Sequence, residues 1–455
     1  MASSTKNSAS GLDLSGFAQA FSDQTRAFRW KAVKLAYSGG IDSQVLLQLL
    51  VELRNESSLD IQAIHINHGM HPQAEEWERF CRAQCEQLGV EYVSCKVAVD
   101  RAVGGPEAAA RSARYRALAT FVSHGDVLLT AHHGDDQAET LLLQLMRGSG
   151  TSGLASMPLV SGFSDGHHFR PLLGFNRKQI QRYANTHKLA WVEDPSNLDV
   201  GVRRSFIRHQ LMPMLKQQWP QAARLIGRSA GHIAEADSLL AELAELDRVH
   251  CAGRTDRELS ITTLSALSPH RLRNLLRFWI REQGWTPPSS QQLAQITSQI
   301  YEPSITAHAM VRWGRAACYR YRDRLWLQMW MPHPLTSLSY NWDLSGPLEM
   351  PGAGIELVAH AVQGEGLAQS RLKGAVNVGF RVGGEKCQLH RQRHRMTLKN
   401  LFQQAGIPPW ERDRTPLIYV DGELAAVGDR WVCEPFAATE NEAGWRLEIS
   451  PISQK

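Results

Sequence analysis

Four short apolar runs punctuate the first 219 residues, VKLAY at 33–37, IQAIHI at 61–66, EYVSCKV at 91–97 and VLLTA at 127–131, with helical spacing between them. Strand-length runs that alternate with helical segments form βαβ units, since a parallel partner strand requires a crossover long enough to hold a helix. The pattern predicts an α/β fold with a doubly wound parallel sheet, and it places any ligand beyond the carboxyl ends of the strands. At 455 residues the chain exceeds the size at which one core stops growing, so further domains are expected. Residues 220–334 look helical, with Ile233, Ala236, Leu239, Leu240, Leu243 and Leu246 spaced near 3.6, and their later part is rich in Trp, Tyr and Arg. Residues 335–455 carry shorter alternating segments and many glycines, which predicts a smaller mixed α/β, β-rich domain. Within it Asp421-Gly422 is a two-residue hairpin signal, and 397–405 reads as a helix ended by Gly406 and Pro408.

The first apolar run leads straight into Ser38-Gly39-Gly40-Ile41-Asp42-Ser43 and then into an apolar, periodic helix. Two glycines without Cβ atoms let successive backbone N–H groups converge on an anion, and the new helix adds its partly positive N-terminus. Ser38 and Ser43 can donate hydroxyl hydrogen bonds to phosphate oxygens, and Asp42 offers a hard oxygen ligand for Mg²⁺. An ordinary turn with serine and aspartate caps would use the same residue types. The strand before the loop and the helix after it favour the nucleotide reading, and no Gly-Lys-Ser/Thr loop occurs in the chain. The six residues resemble the PP-loop, SGGxDS, of the ATP pyrophosphatases. That resemblance implies cleavage of ATP between the α and β phosphates, with AMP and diphosphate as products.

Composition narrows the remaining possibilities. With 43% hydrophobic and 21% charged residues the chain has ordinary globular balance, and no stretch of about 18 apolar residues occurs. The first 26 residues have no apolar core of signal-peptide length, so a cytoplasmic location without membrane association is expected. Seven cysteines without a CxxC pair argue against a disulfide scaffold or a zinc ribbon, and Cys81 and Cys85 read as small buried residues. The net charge is only +5, yet Lys373 to Arg414 hold nine basic residues against three acids. Arg391, Arg393 and Arg395 lie at its centre, and a second series, Arg273, Arg277 and Arg281, repeats every four residues along one side of a helix. Single basic faces are usually just solvated; two of them beside an ATP site favour a polyanionic partner such as RNA.

More chemistry follows the fourth run, in TAHHGDDQAETLLLQLMRGSG at 130–150. Asp135, Asp136 and Glu139 can gather near one helix start, where they could hold an ammonium group or support a metal. Asp136 and Glu139 also have capping-box spacing. His132 and His133 could be general bases, phosphate donors or polar packing residues, and Arg147-Gly148 reads as a helix C-cap.

Taken in order, SGGIDS, HINHGM (65–70), AARSARYRAL (109–118), TAHHGDDQAET, RGSG, Arg170-Pro171-Leu172-Leu173 and EDPSNLDVGVRRSFIR (193–208) resemble the tRNA(Ile)-lysidine synthetases. LFQQAGIPPWERDRTPLIYVDGELAAVGDRWV also looks like the terminal domain of their longer, three-domain bacterial form. The resemblance implies a catalytic PP-loop domain over 1–219 and tRNA-binding domains over 220–334 and 335–455. It implies ATP and Mg²⁺, free L-lysine, and an isoleucine tRNA with a CAU anticodon whose wobble cytidine is adenylated and then joined to lysine. On it, Ser38, Gly39, Gly40, Ile41, Asp42 and Ser43 form the nucleotide loop, with Asp42 also the metal ligand, and Arg111 contacts phosphate. His132, Asp135, Asp136 and Glu139 belong to the lysine and target-base pocket, while Arg204 and Arg208 lie near the RNA path beside Arg391, Arg393 and Arg395. Where the family commonly has Arg-Asn, this chain has Arg204-Ser205. A tRNA thiolase, a small-molecule amidating synthetase and a noncatalytic RNA-binding module are the alternatives, and the oligomeric state stays open between monomer and homodimer. The missing CxxC speaks against a thiolase, and the intact Ser/Gly/Asp set against a module without activity.

Overall fold

The computed structural model describes residues 12–28, 30–56, 59–69, 71–98, 106–195, 201–302, 310–332, 338–389 and 394–452. They form two compact units that divide between Leu240 and Ala241.

The first unit runs α1 (Leu14–Phe28), β1 (Val33–Ala36), α2 (Ile41–Glu56), β2 (Ile61–Asn67), α3 (Ala74–Gln87), β3 (Glu91–Lys96), α4 (Pro106–Ala119), β4 (Val127–Leu129), α5 (Gly134–Met146) and α6 (Thr151–Leu154). A hairpin of β5 (Val160–Phe163) and β6 (Gly166–Phe169) follows, then α7 (Arg177–Thr186) and α8 (Arg203–Phe206). A π-helical turn, Ile207–Leu211, leads into α9 (Met212–Gln218) and α10 (Ala222–His250). The sheet order is β3-β2-β1-β4-β6-β5, parallel throughout except for β5 against β6. Strand order reverses between β1 and β4, so the loops that leave those strands splay to opposite faces and open a crevice at their carboxyl ends. Leu35, Ala63, Val127 and Leu129 are fully buried, as are Leu46, Leu47, Leu49 and Leu50 of α2. Burial on both faces explains why these strands read as continuous apolar runs, each large side chain contributing roughly 1.5–3 kcal/mol relative to exposure. β4 stops at Leu129, two residues short of its apolar run, because Thr130 and Ala131 already belong to the loop that carries the site. The helix α1 and the β5–β6 hairpin have no counterpart among the four runs noted in the sequence.

The second unit has its own cores. β7 (Glu258–Ser260), α11 (Ile261–Ser265), α12 (Pro269–Glu282) and α13 (Ser290–Tyr301) precede β8 (Met310–Trp313), β9 (Ala316–Tyr321) and β10 (Arg324–Met329). The Trp-, Tyr- and Arg-rich end of the helical zone thus supplies three strands of an antiparallel sheet of order β7-β10-β9-β8 around a core that includes Leu275, Trp279 and Leu325. Past residue 338 the chain is β-rich, with a five-stranded and a four-stranded sheet around Leu357, Val378 and Ile418. The Asp421-Gly422 signal forms the expected turn between strands Leu417–Val420 and Glu423–Val427, with both residues at positive φ, 48° and 83°. Thr397 caps the helix Leu398–Gln404, and Gly406 at φ 72° closes it. Cys387 and Cys433, 46 positions apart, form a disulfide that no local spacing in the sequence signals. No helix among the described residues is long and apolar enough to cross a membrane.

Candidate active site

The loop after β1 is held by its own serines. The Ser43 hydroxyl donates to the Gly40 carbonyl at 2.9 Å, Ser38 Oγ lies 3.1 Å from Ser43 Oγ, and the Gly40 N–H points at Ser38 Oγ at 3.4 Å. Of the two glycines only Gly39 is demanded by backbone conformation, at φ 79°. A Cβ there would sit 2.7 Å from Cys81 Sγ and 3.1 Å from Val192 Cγ2. Gly39→Ala is therefore expected to lower stability by about 1–3 kcal/mol, seen as a lower urea midpoint at unchanged m-value. Cys81 and Cys85 pack in the same core, their thiols pushed up to about 12 by burial, and serve as packing groups beneath the loop. Among the described residues no three His, Cys, Asp or Glu side chains cluster to hold a metal. Ile41 turns its side chain into the core, so only its backbone N–H, at the start of α2, can face a ligand.

Asp42 follows in the first turn of α2. Its Oδ1 is buried without a hydrogen-bond partner and lies 3.8 Å from His133 Nε2, which is likewise buried and unpartnered. Burial pushes the Asp42 carboxyl above its ordinary range, against the pull of His133 and Arg177. An orphaned carboxylate oxygen beside a phosphate-type loop suits a Mg²⁺ ion, which commonly takes one or two protein carboxylates and completes its shell with phosphate oxygens and water.

Opposite this loop, His133 caps α5 in a reciprocal box with Asp136: the Asp136 N–H donates to His133 Nδ1 and the His133 N–H to Asp136 Oδ2. The capping box thus starts at His133, three residues before the pair that shows the spacing in sequence, and Glu139 is left to act elsewhere. Asp136 and Glu139 instead face two arginines. Arg204 donates from Nη2 to Asp136 Oδ1 and from Nε to Glu139 Oε2, both at 3.0 Å. Arg208 donates to Asp136 Oδ1 and Glu139 Oε1 at 2.7 Å and to Glu139 Oε2 at 2.8 Å. Side chains four apart share one face of a helix, and the continuous helical stretch from α8 into the π-helical turn therefore presents Arg204 and Arg208 together. Burial alone would raise the Asp136 carboxyl, but His133, Arg204 and Arg208 outweigh it and hold it well below the usual range. The Arg208 guanidinium is raised in turn, as Glu139 and Asp136 overcome its own desolvation.

Asp135 does not join this cluster. It accepts from Lys216 Nζ at 2.6 Å and from the Arg177 N–H at 2.8 Å, tying α5 to α7 and α9. Arg204 and Arg208, which the resemblance places near the RNA path, are committed here to buried carboxylates. Arg111, on an exposed face of α4, lies over the Tyr115 ring, and its charge adds to the burial that depresses His132 and His168. His132 belongs to a chain of buried polar groups, Thr130, His168 and Arg170, to which the sequence assigns no role. Thr130 follows the last apolar residue of β4, and His168 lies in β6, a short Gly-His-His-Phe strand that no apolar pattern marks in the sequence.

The basic zones fare differently. Leu272, Leu275, Leu276, Trp279 and Ile280 bury one face of α12 and leave Arg273, Arg277 and Arg281 on the flank, crowded enough that, with partial burial, the outer two lower Arg277. In the C-terminal zone the sequence count overstates the surface charge. Arg412 donates to Ile407 O and Tyr321 Oη, Arg414 to Ala353 O, and Arg381 pairs with Glu385 and Asp413, so all three hold the fold together. Arg395 is exposed, 3.9 Å from Glu423, and Arg391 and Arg393 lie outside the described residues.

The comparisons with known proteins agree with this arrangement. Residues 15–215 match the model of the PP-loop domain, 259–326 that of the TilS substrate binding domain, and 376–449 that of the TilS substrate C-terminal domain. A tRNA(Ile)-lysidine synthase of Alkalilimnicola ehrlichii is 44% identical over 91% of this chain and 92% of its own length. Those of Coxiella burnetii and Methylococcus capsulatus are 39% and 40% identical, each over 92% of this chain and over 93% and 96% of their own lengths. With a PP-loop at the switch point of its sheet and relatives of this identity matched along nearly their whole length, the chain belongs to the tRNA(Ile)-lysidine synthase family.

Proposed function

We propose that this chain is a cytoplasmic enzyme that uses ATP to adenylate the C2 oxygen of the wobble cytidine in the CAU anticodon of an isoleucine tRNA and then joins free L-lysine to that carbon. In the first step the oxygen attacks the α-phosphorus, the bond to the β-phosphate breaks, and diphosphate leaves. In the second, a lysine amine attacks C2, its proton is lost, and AMP departs with the former C2 oxygen. The modified base pairs with A instead of G, which changes decoding from AUG to AUA and the tRNA from a methionine to an isoleucine acceptor.

The observation that carries this reading is the meeting of two half-sites across one crevice: a phosphate-type loop, and a buried cluster of two carboxylates with two guanidinium groups. Lysine brings ammonium and carboxylate groups together, and Asp136 and Glu139 with Arg204 and Arg208 present both complementary charges. Backbone N–H groups of the 38–43 loop and the α2 terminus bind the phosphates, and Arg111 neutralises charge that develops on the α-phosphate. Asp42 would hold Mg²⁺, which when bound with ATP supplies charge neutralisation at the phosphate oxygens. A splayed anticodon base suits such a crevice, with residues 220–334 and 335–455 gripping the tRNA elsewhere.

The direct test is incubation with an isoleucine tRNA transcript carrying CAU, ATP and labelled lysine. Label at the wobble nucleotide together with AMP release is expected; ATP–diphosphate exchange without label in the tRNA would reject lysine as the second substrate. For the basic helix, replacing Arg273, Arg277 and Arg281 by Gln is expected to weaken tRNA binding about tenfold and to make the salt dependence shallower by about 0.7–0.9 for each phosphate no longer neutralised. An unchanged slope in a binding titration would remove that face from the interface.

A further inference from the structure

Behind the crevice runs a hydrogen-bonded chain whose direction follows from the chemistry of its members. Arg170 lies just past β6 and is anchored by donation from Nη1 to Pro158 O at 2.7 Å, and its Nη2 lies 2.9 Å from His168 Nδ1. A guanidinium has donors and no acceptor, so His168 Nδ1 must accept. A ring accepting at Nδ1 is neutral with its hydrogen on Nε2, and that nitrogen lies 2.8 Å from Thr130 Oγ1. The Thr130 hydroxyl, receiving from His168, has one hydrogen to place. Its second partner is His132 Nδ1 at 2.7 Å, and these two are its hydrogen-bond partners among the described residues. Were Thr130 to accept from both rings, its own buried hydrogen would be left unsatisfied. The arrangement that satisfies the Thr130 hydroxyl has it donating to His132 Nδ1, which leaves the hydrogen of His132 on Nε2.

We infer that Arg170, His168 and Thr130 are positioning residues that lock His132 as a neutral imidazole with its N–H at Nε2, a hydrogen-bond donor to a substrate oxygen that gains charge during adenylation. The inference rests on the adenylation reading above. It selects one of the roles that the sequence leaves open for His132, donor over general base. The register of the sheet builds the chain: Leu128 pairs with His168 and Leu129 with Phe169, so Thr130, two residues past Leu128 and on the same face, lies diagonally across from His168. The groups facing His132 are Asp136 from α5, Arg111 from α4, Arg204 from α8, and Arg170; those facing His168 are Arg170, His132 and Arg111, with Tyr115 beside its ring. Burial, with Arg170 and Arg111 opposing a positive charge on either ring, pushes both imidazoles down to about 3, which matches the neutral forms the hydrogen bonds require. A neutral donor at this place adds polarity to the crevice without competing with the ammonium groups of an incoming amine.

The test is long-range ¹H–¹⁵N correlation on the full chain labelled with ¹⁵N-histidine, the His132 and His168 signals being identified by their loss in H132Q and H168Q. Both rings are expected as Nε2–H tautomers at pH 7, with no titration of His132 between pH 8 and 5. A His132 signal with hydrogen on Nδ1, or one that titrates in that range, would overturn the inference whatever the enzyme's substrates are. Thr130→Val should release the ring, so that the His132 hydrogen is no longer held on Nε2 although the buried ring stays neutral, and kcat for ATP–diphosphate exchange falls about 10- to 100-fold with the KM for ATP little changed. Thr130→Ser, which keeps the hydroxyl, should restore both the tautomer and the rate; failure of the serine variant to do so in a folded protein would also reject the relay. Because the tautomer is read in the free protein, loss of lysine incorporation as a substrate assignment would leave this result standing, and the reverse holds equally.

Discussion

Asp42→Ala is expected to reduce ATP–diphosphate exchange by about a thousandfold or more while leaving the thermal midpoint unchanged or slightly higher. The two halves of this result have separate causes. The Asp42 carboxyl is raised above its ordinary range mainly by burial, so its ionised form is disfavoured in the folded protein and costs stability at neutral pH. Its Oδ1 has no hydrogen bond to lose. Removing the side chain therefore relieves a desolvation that outweighs what is lost, the attraction of His133 and Arg177 and a modest favourable interaction with the α2 N-terminus. On the proposed reading the same oxygen would hold Mg²⁺ beside the phosphate loop, and a charge acting on the transferring phosphoryl group is worth several kcal/mol. Calorimetry and diphosphate exchange on one preparation check both halves. Near-normal exchange by a folded Asp42→Ala enzyme would remove Asp42 from the metal and phosphate chemistry.

Arg208→Ala should be damaging in both respects. Asp136 and Glu139 are almost fully buried, and Arg208 supplies three of the five hydrogen bonds that Arg204 and Arg208 together give them. Breaking a buried ion pair by removing one partner typically costs about 3–5 kcal/mol, because the remaining charges stay desolvated. The pH dependence has a definite sign. Asp136 is held below its ordinary value in the folded protein, so it contributes stability above the unfolded carboxyl pKa of about 3.9 and loses it as pH falls through the lower folded value. Without Arg208 that folded value rises, and acid unfolding should begin at a higher pH. Lysine incorporation should fall further than diphosphate exchange, since the phosphate loop is untouched. Arg208→Lys is expected to restore part of the stability but little transfer, because an ammonium cannot reproduce the forked contacts to two carboxylates. Equal loss of both half-reactions in a stably folded variant would argue that the cluster serves the scaffold alone.

Much of this molecule is legible in the order of its residues. The apolar runs of β1, β2 and β4 specify strands because most of their side chains are buried in the sheet, while β3, at its edge, is only partly covered, and the SGGIDS loop follows from where the first of them ends. Gly39 shows how local such information is, since both its positive φ and its contact with Cys81 act within the immediate shell of the loop. The Asp421-Gly422 turn is likewise readable, since it depends on consecutive residues, and so is the helix read at 397–405, which the structure begins at Leu398 with Thr397 as its cap.

What the sequence by itself determined is therefore four strands of the sheet, its nucleotide loop and the kinds of charged group available to a site. The tertiary structure alone decided which charges meet. Arg204 and Arg208 reach Asp136 and Glu139 across more than sixty positions, a meeting that no local spacing reveals. His168 reaches His132 through Thr130 only because β4 and β6 pair in one particular register. In the same way Arg412 and Arg414 left the apparent basic surface once the fold gave them internal acceptors. Strand and turn formation rest on interactions between near neighbours, whereas the partner of a buried charge is set by desolvation, which acts only after distant segments have packed together.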